Sequence, residues 1–96
     1  MNKIVNYCQL ALRCGKTSTG SDLIPSIQNQ KAKIVVYSSA CGLNRKKKLK
    51  DKCAYYKIEC IELNELFFNQ ITQKNIQSLA ITDQKFAEMI MNIEKG

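Results

Sequence analysis

Gly15-Lys16-Thr17 ends the way a phosphate-binding loop ends. Such a loop needs Gly-x-x-x-x-Gly-Lys-Ser/Thr, because successive backbone amides of a glycine-bearing turn must wrap the phosphates. Counting back puts Leu10 where the first glycine belongs. The tripeptide also follows a helical pattern, whereas a phosphate loop follows a strand and opens a helix. A nucleotide-hydrolysing loop is therefore rejected. What remains is a polar segment, Lys16-Thr17-Ser18-Thr19-Gly20-Ser21, leading into a helix start at Asp22. It reads either as a plain connector or as an anion-receiving edge, since free amides and the positive dipole end of a helix attract negative groups.

A second cluster is Arg45-Lys46-Lys47-Lys48-Leu49-Lys50-Asp51-Lys52, six cations in eight residues. On a helix whose buried stripe is Leu49, Cys53 and Tyr56, these cations spread over the solvent side. A charge run of this kind is ordinarily a solubilising face whose stems cover apolar surface. Four cations at the start of a helix oppose the dipole, however, which favours acids there. Phosphate contact by Arg45 to Lys48, with Lys50 and Lys52, is the reading taken. Tyr55 and Tyr56 lie beyond the run and Tyr56 reads as core, so a platform for stacking bases is not indicated.

The third segment is the loop from Gln70 to Gln77, polar and carrying Gln73, Lys74, Asn75 and Ile76. Catalysis is not supported. The chain has no histidine, which removes the commonest general base and the usual partner of a nucleophilic Ser or Cys. Its five cysteines (Cys8, Cys14, Cys41, Cys53, Cys60) form no C-x-x-C pair and read as small core hydrophobes or idle thiols. No metal and no cofactor are expected.

These segments need elements to hold them. Ile4, Val5, Cys8, Ala11 and Leu12 recur at helical spacing over residues 2–14, and Gly15 supplies the stop. A second helix starts between Gly20 and Asp22, with Pro25 in its first turn and Asp22 or Ser21 as N-cap, and runs to about Gln30. Lys33 to Tyr37 is a β-branched run suited to a strand covered on both faces. A helix over Leu43 to Tyr56, a strand over Ile58 to Leu63 and a short helix from Asn64 to Gln70 follow. A strand over Ile76 to Ile81 and a helix capped by Thr82 or Asp83, carrying Phe86, Ala87, Ile90 and Ile93, complete the chain. Alternating strands and helices define an α/β fold of three layers.

Ninety-six residues suffice for one core, so one domain over 1–96 is expected. Charge is distributed unevenly. Residues 1–57 hold twelve Lys and Arg against Asp22 and Asp51, while residues 58–96 hold three Lys against six acids. A polyanion partner for the first half follows, because clustered cations release condensed counterions on meeting phosphates. No apolar run reaches the ~18 residues of a membrane span and no signal peptide is seen, which points to the cytoplasm and no membrane partner.

In order, the pieces are a helix ending in Gly15-Lys16, then Gly20 opening a second helix, then Lys31-Ala-Lys-Ile-Val-Val-Tyr37. The Lys-Lys-Lys-Leu-Lys-Asp-Lys-Cys53 helix and Ala80-Ile-Thr-Asp83 follow. Together they resemble the L-seven-Ae/L-thirty-e ribosomal protein family, closest to its bacterial YlxQ-type branch, from about Ile4 to Ile93. The resemblance implies a three-layer α/β/α sandwich on a mixed four-stranded sheet, with an added short strand around Lys16 to Thr19. It also implies binding of structured RNA, often kink-turns in which tandem G·A pairs brace a sharp bend, by Lys16 to Ser26 and a loop near Gln73 to Gln77. Strong kink-turn readers carry Gly-x-Asn-Glu-x-x-Lys where this chain has Gly20-Ser21-Asp22-Leu23-Ile24-Pro25-Ser26. Asp22 can still accept from a base, but Leu23 has no polar side chain; the basic helix keeps a source of affinity.

The function expected is that of a non-enzymatic ribosomal-type protein, a monomer acting on structured RNA, with rRNA and the ribosome as partners. The alternative is an assembly module whose basic face meets an acidic protein.

Overall fold

The computed structural model describes residues 2–72 and 75–95. Gln73 and Lys74 of the expected contact loop lie outside the described residues. The first helix, α1 (Lys3–Arg13), begins at Asn2, whose Oδ1 accepts from the amides of Ile4 at 2.8 Å and Val5 at 3.3 Å. It stops where Gly15 turns left-handed at φ +69, a conformation glycine adopts without steric cost. The chain then makes a three-residue edge strand, β1 (Thr17–Thr19), the added strand that the resemblance implied. Nothing in Thr-Ser-Thr demands a strand locally. It is held by antiparallel pairing, Thr17 opposite Ile81 and Thr19 opposite Leu79.

Gly20–Asp22 form a 3-10 turn before α2 (Leu23–Gln28), with Pro25 in the first turn as expected. Asp22 stands at the N-cap position, but its side chain makes no capping bond there. The reason is backbone shape. Capping needs an extended residue, and Asp22 is already helical at φ −86, ψ −12. The helix also ends earlier than the pattern suggests: Asn29 closes it, and Gln30 is left-handed at φ 61.

Four further elements surround the sheet centre. They are β2 (Ile34–Ser38), α3 (Leu43–Tyr56), β3 (Glu59–Leu63) and α4 (Glu65–Ile71). Strand β4 (Ser78–Ile81) begins two residues later than the sequence suggests, and α5 (Gln84–Lys95) follows. Asp83, not Thr82, provides the last cap, accepting from the Phe86 amide at 3.0 Å. The sheet order is β1-β4-β2-β3, with β2 and β3 parallel and the other pairs antiparallel.

Strand periodicity divides the core. Ile34, Val36, Leu79 and Ile81 face α1, α4 and α5, where they meet Val5, Cys8, Phe68 and Ile90. Val35, Tyr37 and Ala80 face the opposite side, where α2 and α3 contribute Leu23, Ile27, Leu49 and Cys53. Both faces of the two central strands are thus buried, which is why β2 is apolar throughout. The fold is an α/β/α sandwich around a mixed four-stranded sheet. Full burial of Leu49 anchors the basic helix with about 1.5–3 kcal/mol of hydrophobic free energy. Among the described residues, no helix is long and apolar enough to cross a membrane.

A candidate interface at one end of the sheet

Strand register brings distant segments to one place. Thr19 at the end of β1 pairs with Leu79, and Ser78 beside it pairs with Tyr37. The Ser38 amide donates to Gln77 O at 2.8 Å. The end of β1, the start of β4 and the end of β2 therefore share one edge of the sheet. From there the Ser38 hydroxyl accepts from the Ala40 amide at 3.1 Å, turning the chain toward α3. As a result Gly20, Arg45, Asn75, Ile76, Gln77 and Ser78 line one cleft of about 210 Å³. Gly20 enters it at φ +59, and among the described residues no atom beyond its chain neighbours stands within 4 Å of where its Cβ would be.

Of the residues singled out from sequence, the structure gathers Gly20, Arg45, Asn75 and Ile76 around this cleft. Lys16 lies at the far end of β1, its carbonyl accepting from the Thr82 amide at 2.9 Å. Four steps of extended chain separate it from Gly20, about 13 Å. Thr17, Ser18 and Thr19 are half-buried along the edge, and Ser21 and Asp22 are exposed beyond Gly20. Ser18, Asp22 and Ser26 border a different depression of about 290 Å³, together with Pro25, Asn29 and Lys31. Ser26 itself is only 4% exposed, and its hydroxyl has no hydrogen-bond partner among the described residues. Its carbonyl is occupied, accepting from Lys31 and Ala32 amides at 3.0 and 3.1 Å.

The cations of α3 diverge with the helical turn. Arg45 faces the cleft, whereas Lys46 turns to β3 and meets Glu62 at 3.2 Å. Lys47, Lys48 and Lys52 lie on the outer face in a shallow groove of about 700 Å³ that also includes Tyr55 and Tyr56. Sequence reading put Tyr56 in the core and saw no aromatics among the cations. The structure bears out the first in part, since Tyr56 is half-buried and packs against the core cluster of Leu49 and Cys53, and corrects the second: positions three or four apart on a helix adjoin one another, and those seven apart share a face. Lys52, Tyr55 and Tyr56 stand in that relation, as do Lys48 and Tyr55. The signal was present in the spacing, but not in the linear order.

The inner side of α3 has altered thiol chemistry. Cys53 donates to Cys60, and this bond, with help from the Lys50 charge and against the effect of burial, holds Cys60 below its ordinary value. The same bond, with burial, pushes Cys53 upward. All five cysteines are free thiols. Among the described residues, no group of three Cys, Asp or Glu side chains could hold a metal ion.

Fold and surface together define a small α/β/α protein with one basic helix and a cleft at the sheet end beside it. No protein-family model matches the chain. Two relatives carry the name RNA-binding protein YlxQ. That of Enterococcus faecium is 40% identical over 96 residues, covering 98% of this chain and 93% of its own. That of Bacillus subtilis (strain 168) is 34% identical over 87 residues, covering 88% and 87%. The chain belongs to the YlxQ family. A solved structure of a protein with unknown function from Bacillus halodurans C has the same fold, with a TM-score of 0.90 at 25% identity over the whole of both chains.

Proposed function

We propose that this protein is a non-enzymatic RNA-binding protein that grips a bent, structured RNA at the sheet end. The observation that carries the reading is the convergence of Gly20, Arg45 and the Asn75–Ser78 segment on one cleft, although they are far apart in sequence. Support also comes from the name of its relatives, RNA-binding protein YlxQ. Arg45 supplies a planar, permanently charged fork for phosphate or a guanine edge. Asn75 supplies an amide that can both donate and accept, and Gly20 leaves room for a backbone to approach. Gln73 and Lys74, outside the described residues, are counted as RNA contacts in this reading, together with the exposed Ser21 and Asp22.

The finer reading is a kink-turn in ribosomal RNA, bound by a monomer of a single 1–96 domain in the cytoplasm and on the ribosome. It rests on the resemblance to the L-seven-Ae/L-thirty-e family. The departures at Asp22, Leu23 and Ser26 lower base-specific readout, so shape and phosphate contacts carry most of the affinity.

The test is a titration of a labelled kink-turn hairpin and a straight duplex of equal length across a range of salt. Tighter binding to the bent RNA that persists at high salt is the result expected. Equal binding of both, with a log–log slope of about 0.7–0.9 per phosphate, would reduce the function to unspecific charge contact. Failure to bind either RNA would favour the reading in which the basic face meets an acidic protein.

A further inference from the structure

The outer face of α3 is not part of the cleft, yet it is the larger depression. Tyr55 there is 78% exposed, an unusual position for an aromatic ring with no burial to stabilise it. Its ring nonetheless has an aromatic neighbour. The Tyr55 and Tyr56 ring centroids are 4.8 Å apart with 72° between the planes, so one ring stands edge-on to the other. Tyr56 in turn packs against the core cluster of Leu49 and Cys53. Lys47, Lys48 and Lys52 line the same groove as this ring, against one carboxylate, Asp51.

We propose that this groove takes an unpaired RNA strand flanking the structured element, stacking a base on Tyr55 and guiding the backbone with Lys47, Lys48 and Lys52. The proposal rests on the RNA-binding reading above and adds what that reading does not contain: a single-stranded flank as part of the ligand. An aromatic ring amid cations is what sequence-tolerant single-strand binding requires, because every base has a π-face and every linkage a phosphate. An acidic protein surface would be served by the lysines alone and would leave the ring without use. The groove and the cleft are separate depressions on the same helix, Arg45 lining one and Lys48 and Lys52 the other. Arg45, Lys48 and Lys52 follow one another at steps of three and four on one side of the helix. Ten residues from Arg45 to Tyr55 span about 15 Å, roughly four nucleotides at stacked spacing.

The experiment uses the whole protein and three labelled RNAs of one sequence. One is a blunt kink-turn hairpin, and the other two bear about six unpaired nucleotides at the 5′ or the 3′ end, with 2-aminopurine as a stacking reporter. Wild type, Tyr55→Phe and Tyr55→Ala are compared after thermal melts establish that all three fold. One extended hairpin is expected to bind about 5- to 50-fold tighter than the blunt one, with quenching of 2-aminopurine. Tyr55→Phe keeps that gain, and Tyr55→Ala abolishes it without weakening the blunt complex. Equal affinity of wild type for blunt and extended RNAs would overturn the groove proposal while leaving the cleft reading intact. A gain that survives Tyr55→Ala would overturn it as well, assigning the effect to charge. Absence of binding to the blunt hairpin would instead sink the cleft reading, and binding of polyglutamate to the same face would then assign it to a protein.

Discussion

The Lys46 ammonium lies 3.2 Å from Glu62 Oε2, joining the first turns of α3 to β3 across sixteen positions of sequence. The other Glu62 oxygen accepts from the Tyr37 hydroxyl at 3.4 Å. Lys46 therefore has a protein partner, whereas its neighbours Lys47 and Lys48 face solvent. Lys48→Ala is expected to lower the salt slope of RNA binding by about 0.7–0.9, the share of one phosphate. Lys46→Ala should leave the slope nearly unchanged while lowering stability by about 0.2–1 kcal/mol, the range of a partly exposed pair. Salt titrations and urea melts of both variants check the contrast. Equal loss of slope would mean that Lys46 leaves Glu62 for the RNA.

Ser26 bears on the opposite question, whether a residue at the expected position is a contact at all. Its buried hydroxyl finds no partner among the described residues, and such a group carries a desolvation penalty without a compensating bond. Ser26→Ala should be neutral or stabilising by up to about 1 kcal/mol. RNA affinity should not change. A loss of several-fold in affinity with unchanged stability would show that α2 opens on binding to expose the hydroxyl.

Two left-handed residues respond in opposite ways to substitution. Lys57 closes α3 at φ 57, its amide bonded to Ala54 O at 3.3 Å, in a conformation that strains any residue with a Cβ. Lys57→Gly should raise stability by about 0.5–1 kcal/mol. Gly15 stands at φ +69 with no atom of the described residues beyond its chain neighbours within 4 Å of a prospective Cβ, so Gly15→Ala should cost about 1 kcal/mol through backbone strain. Chemical denaturation of the two variants tests both signs.

Alkaline pH should weaken the fold through two buried acids. Burial pushes the Cys8 thiol up to about 12. Burial also pushes Tyr37 up to about 12, reinforced by nearby Cys60 and Glu62. Unfolded chains ionise these groups near 9 and 10, so the native state favours their protonated forms. The stability they confer is complete below about pH 9 and is lost as pH rises toward 12, at up to about 1.4 kcal/mol per pH unit for each titrating group. Urea midpoints should fall over this window, and Cys8→Val should blunt the earlier part of the fall. Parallel curves for wild type and variant would remove Cys8 as a cause.

What the chain discloses without a structure depends on how local the determinant is. Leu49 and Cys53 lie on one helical stripe, and Ile34 to Val36 form an unbroken β-branched run that Tyr37 continues, so α3 and β2 could be read directly. Helix α1 likewise follows from Ile4, Val5, Cys8 and Ala11. Strand β1 could not be read from its residues, because Thr17 to Thr19 owe their conformation to partners sixty or more positions away. Its place came from the resemblance. Asp22 failed as a cap for a local reason that residue type does not reveal, the 3-10 turn that makes it helical already. The cleft is a product of strand register, and the Tyr55 groove of helical phase. A linear charge pattern conveys neither.

The two borders of the sheet have a consequence for handling and crowding. One border, β1, offers only three residues of open ladder before the chain coils into Gly20–Asp22. The other, β3, is longer but places exposed Glu59 and Glu62 along its length. In like strands annealing side by side, these carboxylates would repel one another, and a three-residue strand gives too few backbone bonds to template a second copy. Concentrated solutions should therefore resist fibre formation through the sheet, and Glu62→Val would be the substitution that exposes the hazard.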